Sequence, residues 1–170
     1  KYMGLSRDGR LELYDGTLRL AAPDGTLLEE IDPRRYLDII GEQVEPWSWL
    51  KFPYYLKQGY PEGTYRVGPL ARLNLARTTG TPHADVELAT FKAAGTGGMV
   101  HDTLLYHHAR LIELLYAVER AFQLVEDDAI ASPEVRVRVD RREGEGVGVI
   151  EAPRGTLIHH YWSDWAGKIT

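Results

Sequence analysis

The 170-residue chain contains no cysteine and only two methionines. Without a thiol it cannot form disulfides, supply a thiolate nucleophile, or hold a zinc finger or a cysteine-ligated iron–sulfur cluster. It also lacks any run of about 18 consecutive apolar residues, so the sequence predicts no membrane-spanning helix. Lys1 stands where an initiator methionine would be, and we expect these residues to be a piece of a longer chain.

Positive charge is in the minority, with 20 Lys and Arg against 25 Asp and Glu and a formal net charge of −5. Binding to a phosphate backbone needs clustered basic residues, so this balance argues against a nucleic-acid partner. The length and the 44% hydrophobic content are typical of one globular unit with a real core.

Turn signals and apolar alternation predict a β-hairpin region over residues 1–31. Asp15-Gly16 has the sequence of a two-residue hairpin turn, and Pro23-Asp24-Gly25 predicts a second turn. Asp32 followed by Pro33 then predicts the start of a short helix that ends near Gly41.

Residues 46–55 are rich in aromatic side chains. Prolines at positions 46 and 53 disfavour a continuous helix or a central strand. We expect the aromatic side chains to pack mainly in the core, with an interface as the alternative. They are Trp47, Trp49, Phe52, Tyr54 and Tyr55.

The middle region, residues 32–126, is predicted to be mainly helical apart from this aromatic-rich loop. Thr81-Pro82 predicts a helix to about Ala94, and the glycines at 95–98 end it. The longest helix is predicted over about 102–124. Its apolar residues form a wide stripe, which predicts a position inside a helical bundle. The stripe comprises Leu104, Leu105, Leu111, Ile112, Leu115, Val118, Ala121 and Phe122.

The remaining region, residues 134–170, is predicted to be β-structure. Strict alternation of Val and Arg over 134–140 predicts a strand, and 147–152 with 156–162 predicts a hairpin. The whole sequence therefore predicts one α+β unit over residues 1–170. In it a long central helix with helical partners is flanked by β-hairpins.

Neither the glycine clusters nor the histidines form a cofactor or metal motif. The glycines at 95–98 lack the Lys-Ser/Thr of a phosphate loop. Those at 144–148 are predicted to form a turn between strands and open no helix for a pyrophosphate. The pairs His107-His108 and His159-His160 diverge on a helix or a strand, so neither pair can chelate a metal alone.

Arg154 is the residue that the local sequence singles out. It lies in Glu-Ala-Pro-Arg-Gly, residues 151–155. There the proline fixes the backbone and the glycine permits a close neighbour, so the guanidinium would be rigidly presented. From the residues alone, an ion pair between Arg154 and Glu151 is favoured over a catalytic role.

Several segments resemble the large (alpha) subunit of nickel–iron hydrogenases. The resemblance rests on residues 146–161, which include Glu-Ala-Pro-Arg-Gly, and on residues 49–55, 65–74 and 104–116. In addition, residues 2–5 with 13–16 resemble the cytoplasmic multi-subunit branch that reduces NAD(P), methyl viologen or related carriers.

The resemblance implies a parent enzyme that reversibly oxidises H2. Its electrons would pass through iron–sulfur clusters of a small subunit to a nucleotide-reducing (diaphorase) module, in the cytoplasm. In that family two Cys-x-x-Cys pairs hold the nickel–iron centre, and this chain has neither pair. We therefore expect a central fragment of the large subunit that holds no metal and has no hydrogenase activity alone.

Matched residue by residue, Arg154 is the catalytic residue that the resemblance implies, with its guanidinium above the open site of the nickel–iron centre. Pro153 would pack beside the diatomic ligands of the iron. Glu151, Gly155 and His159 match the same segment and would support the site.

Two alternatives stay open. A cysteine-free paralogue resembling the quinone-site subunit of respiratory complex I would fit the missing thiols, although such subunits typically carry Lys where Arg154 stands. The other alternative is a scaffold that docks a partner through the aromatic stretch.

Overall fold

The computed structural model describes residues 1–170, and its first four strands form one antiparallel sheet in the order β2-β1-β3-β4. The strands are β1 Tyr2–Arg7, β2 Arg10–Leu11, β3 Thr17–Ala21 and β4 Leu27–Ile31. The predicted turn at residues 23–25 joins β3 to β4 and is confirmed. The predicted hairpin at Asp15-Gly16 is wrong. Another Asp-Gly pair, Asp8-Gly9, forms the tight turn, since both its residues adopt the positive φ that such turns require.

Four short 3-10 helices accompany the regular elements, at Pro33–Asp38, Leu56–Gln58, Thr103–Leu105 and Asp128–Ala131. The first begins as predicted, because the Asp32 carboxylate accepts a hydrogen bond from the backbone N–H of Arg34 at 2.9 Å. It is a 3-10 helix, and strand β5 follows it directly.

The aromatic stretch forms a β-hairpin. Strand β5, Ile40–Val44, pairs antiparallel with β6, Lys51–Tyr55, in a two-stranded sheet. Pro53 is tolerated there because β6 has a partner on one edge only. Tyr55 is buried, but Trp47 and Trp49 near the hairpin tip are 72% and 104% exposed. Core packing was therefore the wrong prediction for these two tryptophans, because the hairpin extends beyond the body of the chain.

Three α-helices follow: α1 Pro69–Leu75, α2 Pro82–Ala93 and α3 Tyr106–Val125. Helices α2 and α3 confirm the two predicted helices. Helix α1 was not predicted, because all seven of its residues are buried and a helix buried on every side has no amphipathic period. It contacts both β1 and α3 and so lies at the centre of the fold.

Helix α3 buries a narrower face than its sequence predicts. Ala109, Ile112 and Tyr116 face the core, where α3 packs on α1 and α2. Leu111 and Val118, which belong to the predicted stripe, are exposed. The helix is therefore covered along one line of residues spaced three and four apart, and its second apolar face has no neighbour in this chain.

The C-terminal strands β7, Gly144–Ala152, and β8, Gly155–Ser163, form the predicted hairpin. This ribbon lies against β1 and the 3-10 helix Pro33–Asp38. The glycines at 144–148, expected in a turn, lie within β7. The strand predicted over 134–140 is wrong, since these exposed residues have no partner strand for their backbone hydrogen bonds. Together the helices and sheets confirm the α+β class. No helix has both the length and the apolar content to cross a membrane.

Glu119 on α3 caps the N-terminus of α2. Its carboxylate accepts hydrogen bonds from the backbone N–H groups of His83 and Ala84, each at 3.0 Å, and lies 2.7 Å from His83 Nδ1. Burial acts to raise the pKa of Glu119, but the hydrogen bonds from His83, Thr81 and Ala84 outweigh it and lower the pKa to about 2. The ionised carboxylate therefore ties the two helices together.

Replacing Glu119 with glutamine should reduce stability at neutral pH and weaken its dependence on acid. Because the folded-state pKa is depressed, the carboxylate stabilises the fold above its ordinary pKa of 4.5 and loses that effect as pH falls toward about 2. Thermal unfolding between pH 7 and 2 measures this, with exposed Glu126→Gln as the control. An acid dependence equal to that of the wild type would contradict the capping role.

Candidate functional site

The β7–β8 ribbon turns at Pro153 and Arg154. Ala152 pairs with Gly155 across the ribbon, so only these two residues form the turn, and both are exposed. The predicted ion pair between Arg154 and Glu151 is wrong, because Glu151 binds Arg72 instead, at 2.8 Å. The Arg154 guanidinium therefore keeps its charge and donors for a group outside this chain.

The backbone just before α1 lies directly against the turn. Gly68 has φ of +82°, and a Cβ at that position would lie 2.6 Å from the carbonyl oxygen of Arg154. A Cβ on Gly155 would likewise lie 2.4 Å from Val67 Cγ2. Only glycine allows approaches this close, so the turn and the start of α1 are in fixed contact.

Glu151 anchors the ribbon just before the turn. Its carboxylate accepts hydrogen bonds from Leu5 N at 2.8 Å, Thr156 Oγ1 at 2.9 Å and Arg72 Nη1 at 2.8 Å, while its own N–H donates to Leu13 O at 2.7 Å. Burial raises the pKa of Glu151, and the three donors oppose that rise. Every polar group of Glu151 therefore contributes to holding β7 in place.

Arg72 connects this strand to two helices. Its side chain, 2% exposed, donates from Nε and Nη2 to Glu113 of α3 at 2.6 and 2.7 Å. From Nη1 it donates to Glu151 and to the carbonyl oxygen of Ala152, at 2.8 and 3.0 Å. Burial opposes the charge, but the two carboxylates outweigh it and raise the pKa of Arg72. One guanidinium thus joins α1, α3 and β7.

Sequence reasoning missed both Arg72 and Glu113 as parts of the site. The available signal was a single arginine within the otherwise mostly apolar run at 69–75, since a charged residue in a buried helix needs a partner. No local pattern could have identified the partners, which lie 41 and 79 residues away along the chain.

The two histidines of β8 lie away from the turn, on opposite faces of the strand. His159 is exposed and its Nδ1 lies 3.2 Å from the Tyr161 hydroxyl. His160 bonds the Tyr36 hydroxyl at 3.1 Å and Glu145 at 2.7 Å. The structure therefore gives His159 no contact with Arg154, whereas Pro153, Glu151 and Gly155 all adjoin it.

The side chains of this chain do not fit the ligand shell of a nickel–iron centre. There is no cysteine, and no three His, Asp or Glu side chains converge on one point. A sulfur-bridged centre requires thiolate ligands. No reaction step is therefore assigned to a metal held by these residues, and the chemistry they offer is a fixed cation at the end of a ribbon.

Replacing Gly68 with alanine should destabilise the fold by about 1–3 kcal/mol, the cost of a strained backbone that only glycine adopts readily. The added Cβ should also push the Arg154 carbonyl away. Gly97→Ala is the matched control, since Gly97 has φ of +61° but no neighbour within 4 Å. Chemical denaturation should show the larger loss for Gly68→Ala. Equal losses would mean that the contact with the turn contributes nothing.

Comparison with known proteins gives one consistent result. The family described as nickel-dependent hydrogenase matches residues 19–169. One subunit of the F420-non-reducing hydrogenase vhu of Methanococcus voltae is 47% identical, over 99% of this chain and 40% of its own length. The NAD-reducing hydrogenase HoxS subunit beta of Cupriavidus necator is 41% identical, over 96% and 34%.

A solved structure shows the same agreement in three dimensions. An NAD+-reducing NiFe hydrogenase in the H2-reduced state superposes with a TM-score of 0.92 at 44% identity, covering 99% of this chain and 38% of that one. The chain thus spans about 40% of the length of the first curated relative, and less of the other two proteins.

Proposed function

The chain belongs to the nickel-dependent hydrogenase family, and from that premise we propose that it forms part of a large subunit that reversibly oxidises H2. The observation that carries the proposal is the exposed, unpaired Arg154 on a turn whose base is buried and fully hydrogen-bonded. A surface arginine without a function has no need of so rigid a support. The hydrogenase names of the relatives support the same reading.

In this proposal Arg154 is the residue that acts at the active site. An arginine stays charged at every working pH and presents a planar fork of donors. A preorganised cation stabilises negative charge that develops beside it without any reorganisation during the reaction. Pro153, Glu151 and Gly155 hold the turn, His159 supports the ribbon further along, and the metal ligands come from residues outside this chain.

The proposal extends to partners and electron flow. The electrons from H2 pass to the iron–sulfur clusters of a small subunit, then to a nucleotide-reducing module in the cytoplasm. The relative named as NAD-reducing supports NAD(P) as the acceptor. The exposed Trp47 and Trp49 fit a contact with another polypeptide of such a complex, since aromatic residues are enriched at interfaces.

The test is H2-dependent reduction of methyl viologen and of NAD+ by the full-length large subunit in complex with its partners. We expect turnover from the nickel-loaded complex. We expect none from the 170-residue chain alone, because it supplies no thiolate for the centre. A nickel-loaded complex that does not oxidise H2 would refute the proposal, and activity from the isolated chain would refute the assignment of the metal ligands.

A further inference from the structure

The buried charges behind the Arg154 turn form a cluster of three. Arg72 and Glu151 have side-chain exposures of 2% and 0%, and Glu113 of 14%. One positive charge therefore faces two carboxylates in the interior. Apolar residues of similar volume would often hold a fold together equally well or better, so stability alone does not account for the cluster.

The geometry of the cluster directs it toward the turn. A single nitrogen, Arg72 Nη1, donates both to the Glu151 carboxylate and to the carbonyl oxygen of Ala152, which directly precedes Pro153. The other two donors of the guanidinium are held by Glu113. The fork is thus fixed on α3 at one side and grips the turn at the other.

Helix α1 also contacts the far side of the turn. The N–H of Arg72 donates to Gly68 O at 2.9 Å within the first helical turn, and Gly68 lies against the Arg154 carbonyl. The turn is therefore held before Pro153 by a side chain of α1 and at Arg154 by the backbone that begins α1. A shift of the Arg72 guanidinium would release one of these two supports.

We propose that Arg72 is a positioning residue for Arg154, acting through Glu151 and Ala152. The inference rests on the proposed role of Arg154 in H2 oxidation. Lysine cannot replace it, because an ammonium on a flexible stem cannot span Glu113, Glu151 and Ala152 together. Small displacements of a group at an active site lower rates by up to about 100-fold, and that sets the expected scale of the effect.

The test compares Arg72→Lys, Arg154→Lys and the double variant in the complete complex. We expect Arg72→Lys to lower turnover about 10- to 100-fold. In the Arg154→Lys background the same change should lower it less than about twofold, since a residue that acts through Arg154 is coupled to it. Arg19→Lys is the control, because Arg19 is also partly buried and ion-paired, but with Glu30 on the N-terminal sheet. Effects that multiply would overturn the proposal.

A second readout does not depend on H2 chemistry. Amide hydrogen exchange of Gly155 and Thr156 should be at least about tenfold faster in Arg72→Lys, because local opening of the ribbon becomes easier. Unchanged exchange there would overturn the proposal. If Arg72→Lys does not fold, Glu151→Gln serves instead, since it keeps the shape but weakens the charge-assisted bond to Arg72.

The two readouts separate this inference from the proposed function. If Arg154→Lys retains wild-type turnover, the role of Arg154 fails, and with it the positioning role in catalysis. In that case faster exchange would still show that Arg72 holds the turn. If Arg154→Lys loses turnover while Arg72→Lys changes neither exchange nor rate, only the inference about Arg72 fails.

Discussion

Turnover of H2 should fall by about 100-fold or more when Arg154 is replaced by lysine in the complete complex, the usual scale for removing one preorganised electrostatic group. The variant keeps the charge but loses the planar fork and its rigidity. The fold should be unaffected, since Arg154 is exposed and makes no ion pair within the chain. The effect should therefore appear in turnover and not in the unfolding temperature.

Arg110→Lys is the matched control for that experiment, because Arg110 is an exposed arginine on α3. It should leave turnover unchanged. If Arg154→Lys stays within about twofold of the wild type, the guanidinium is not required, and the turn is a structural feature only.

Replacing Arg72 with methionine should destabilise the fold by about 3–5 kcal/mol, the cost of leaving a buried charge without its partner. Glu113 and Glu151 would remain in the interior, facing each other without the cation. Protonation relieves such charges, so the deficit should shrink as pH falls into the range where carboxylates titrate. Chemical denaturation at neutral and acidic pH measures both effects.

A triple variant with methionine at positions 72, 113 and 151 separates stability from positioning. It removes all three buried charges, and such replacements are often neutral or stabilising. We expect it to regain much of the stability that Arg72→Met loses. A loss of less than about 1 kcal/mol for Arg72→Met alone would show that the cluster is not coupled to the fold, in contrast to typical buried pairs.

Local signals in the sequence predicted the elements that depend on local interactions. Thr81-Pro82 and the glycines after Ala94 mark the two ends of α2, and Asp32 caps the 3-10 helix that follows the first sheet. The β7–β8 hairpin was predicted because alternation and a Pro-Arg-Gly turn lie within one short segment. Arg154 was found for the same reason.

The parts that depend on distant partners were not predictable in this way. Glu151 lies three residues from Arg154, yet strand geometry turns its side chain inward to Arg72, 79 residues away in sequence. Helix α1 carries no periodic pattern because it is buried all round. The alternating segment at 134–140 has the pattern of a strand but no neighbour to pair with.

Exposed apolar surface was equally invisible to local reasoning. Trp47 and Trp49 have the composition of a core, but the hairpin holds them outside it. Leu111 and Val118 belong to a stripe of α3 that packs on nothing in this chain. Periodicity indicates which residues share a face, whereas the position of a neighbouring element decides whether that face is covered.

The central claim is that the β7–β8 turn presents Arg154 to the metal centre of a hydrogenase. The most direct measurement is a crystal structure of the nickel-loaded complex, with the metal located by anomalous diffraction at the nickel edge. The account predicts the Arg154 guanidinium within hydrogen-bonding distance, about 3 Å, of an atom in the coordination sphere of the metal. A guanidinium turned to solvent, or paired with a carboxylate away from the metal, would contradict it.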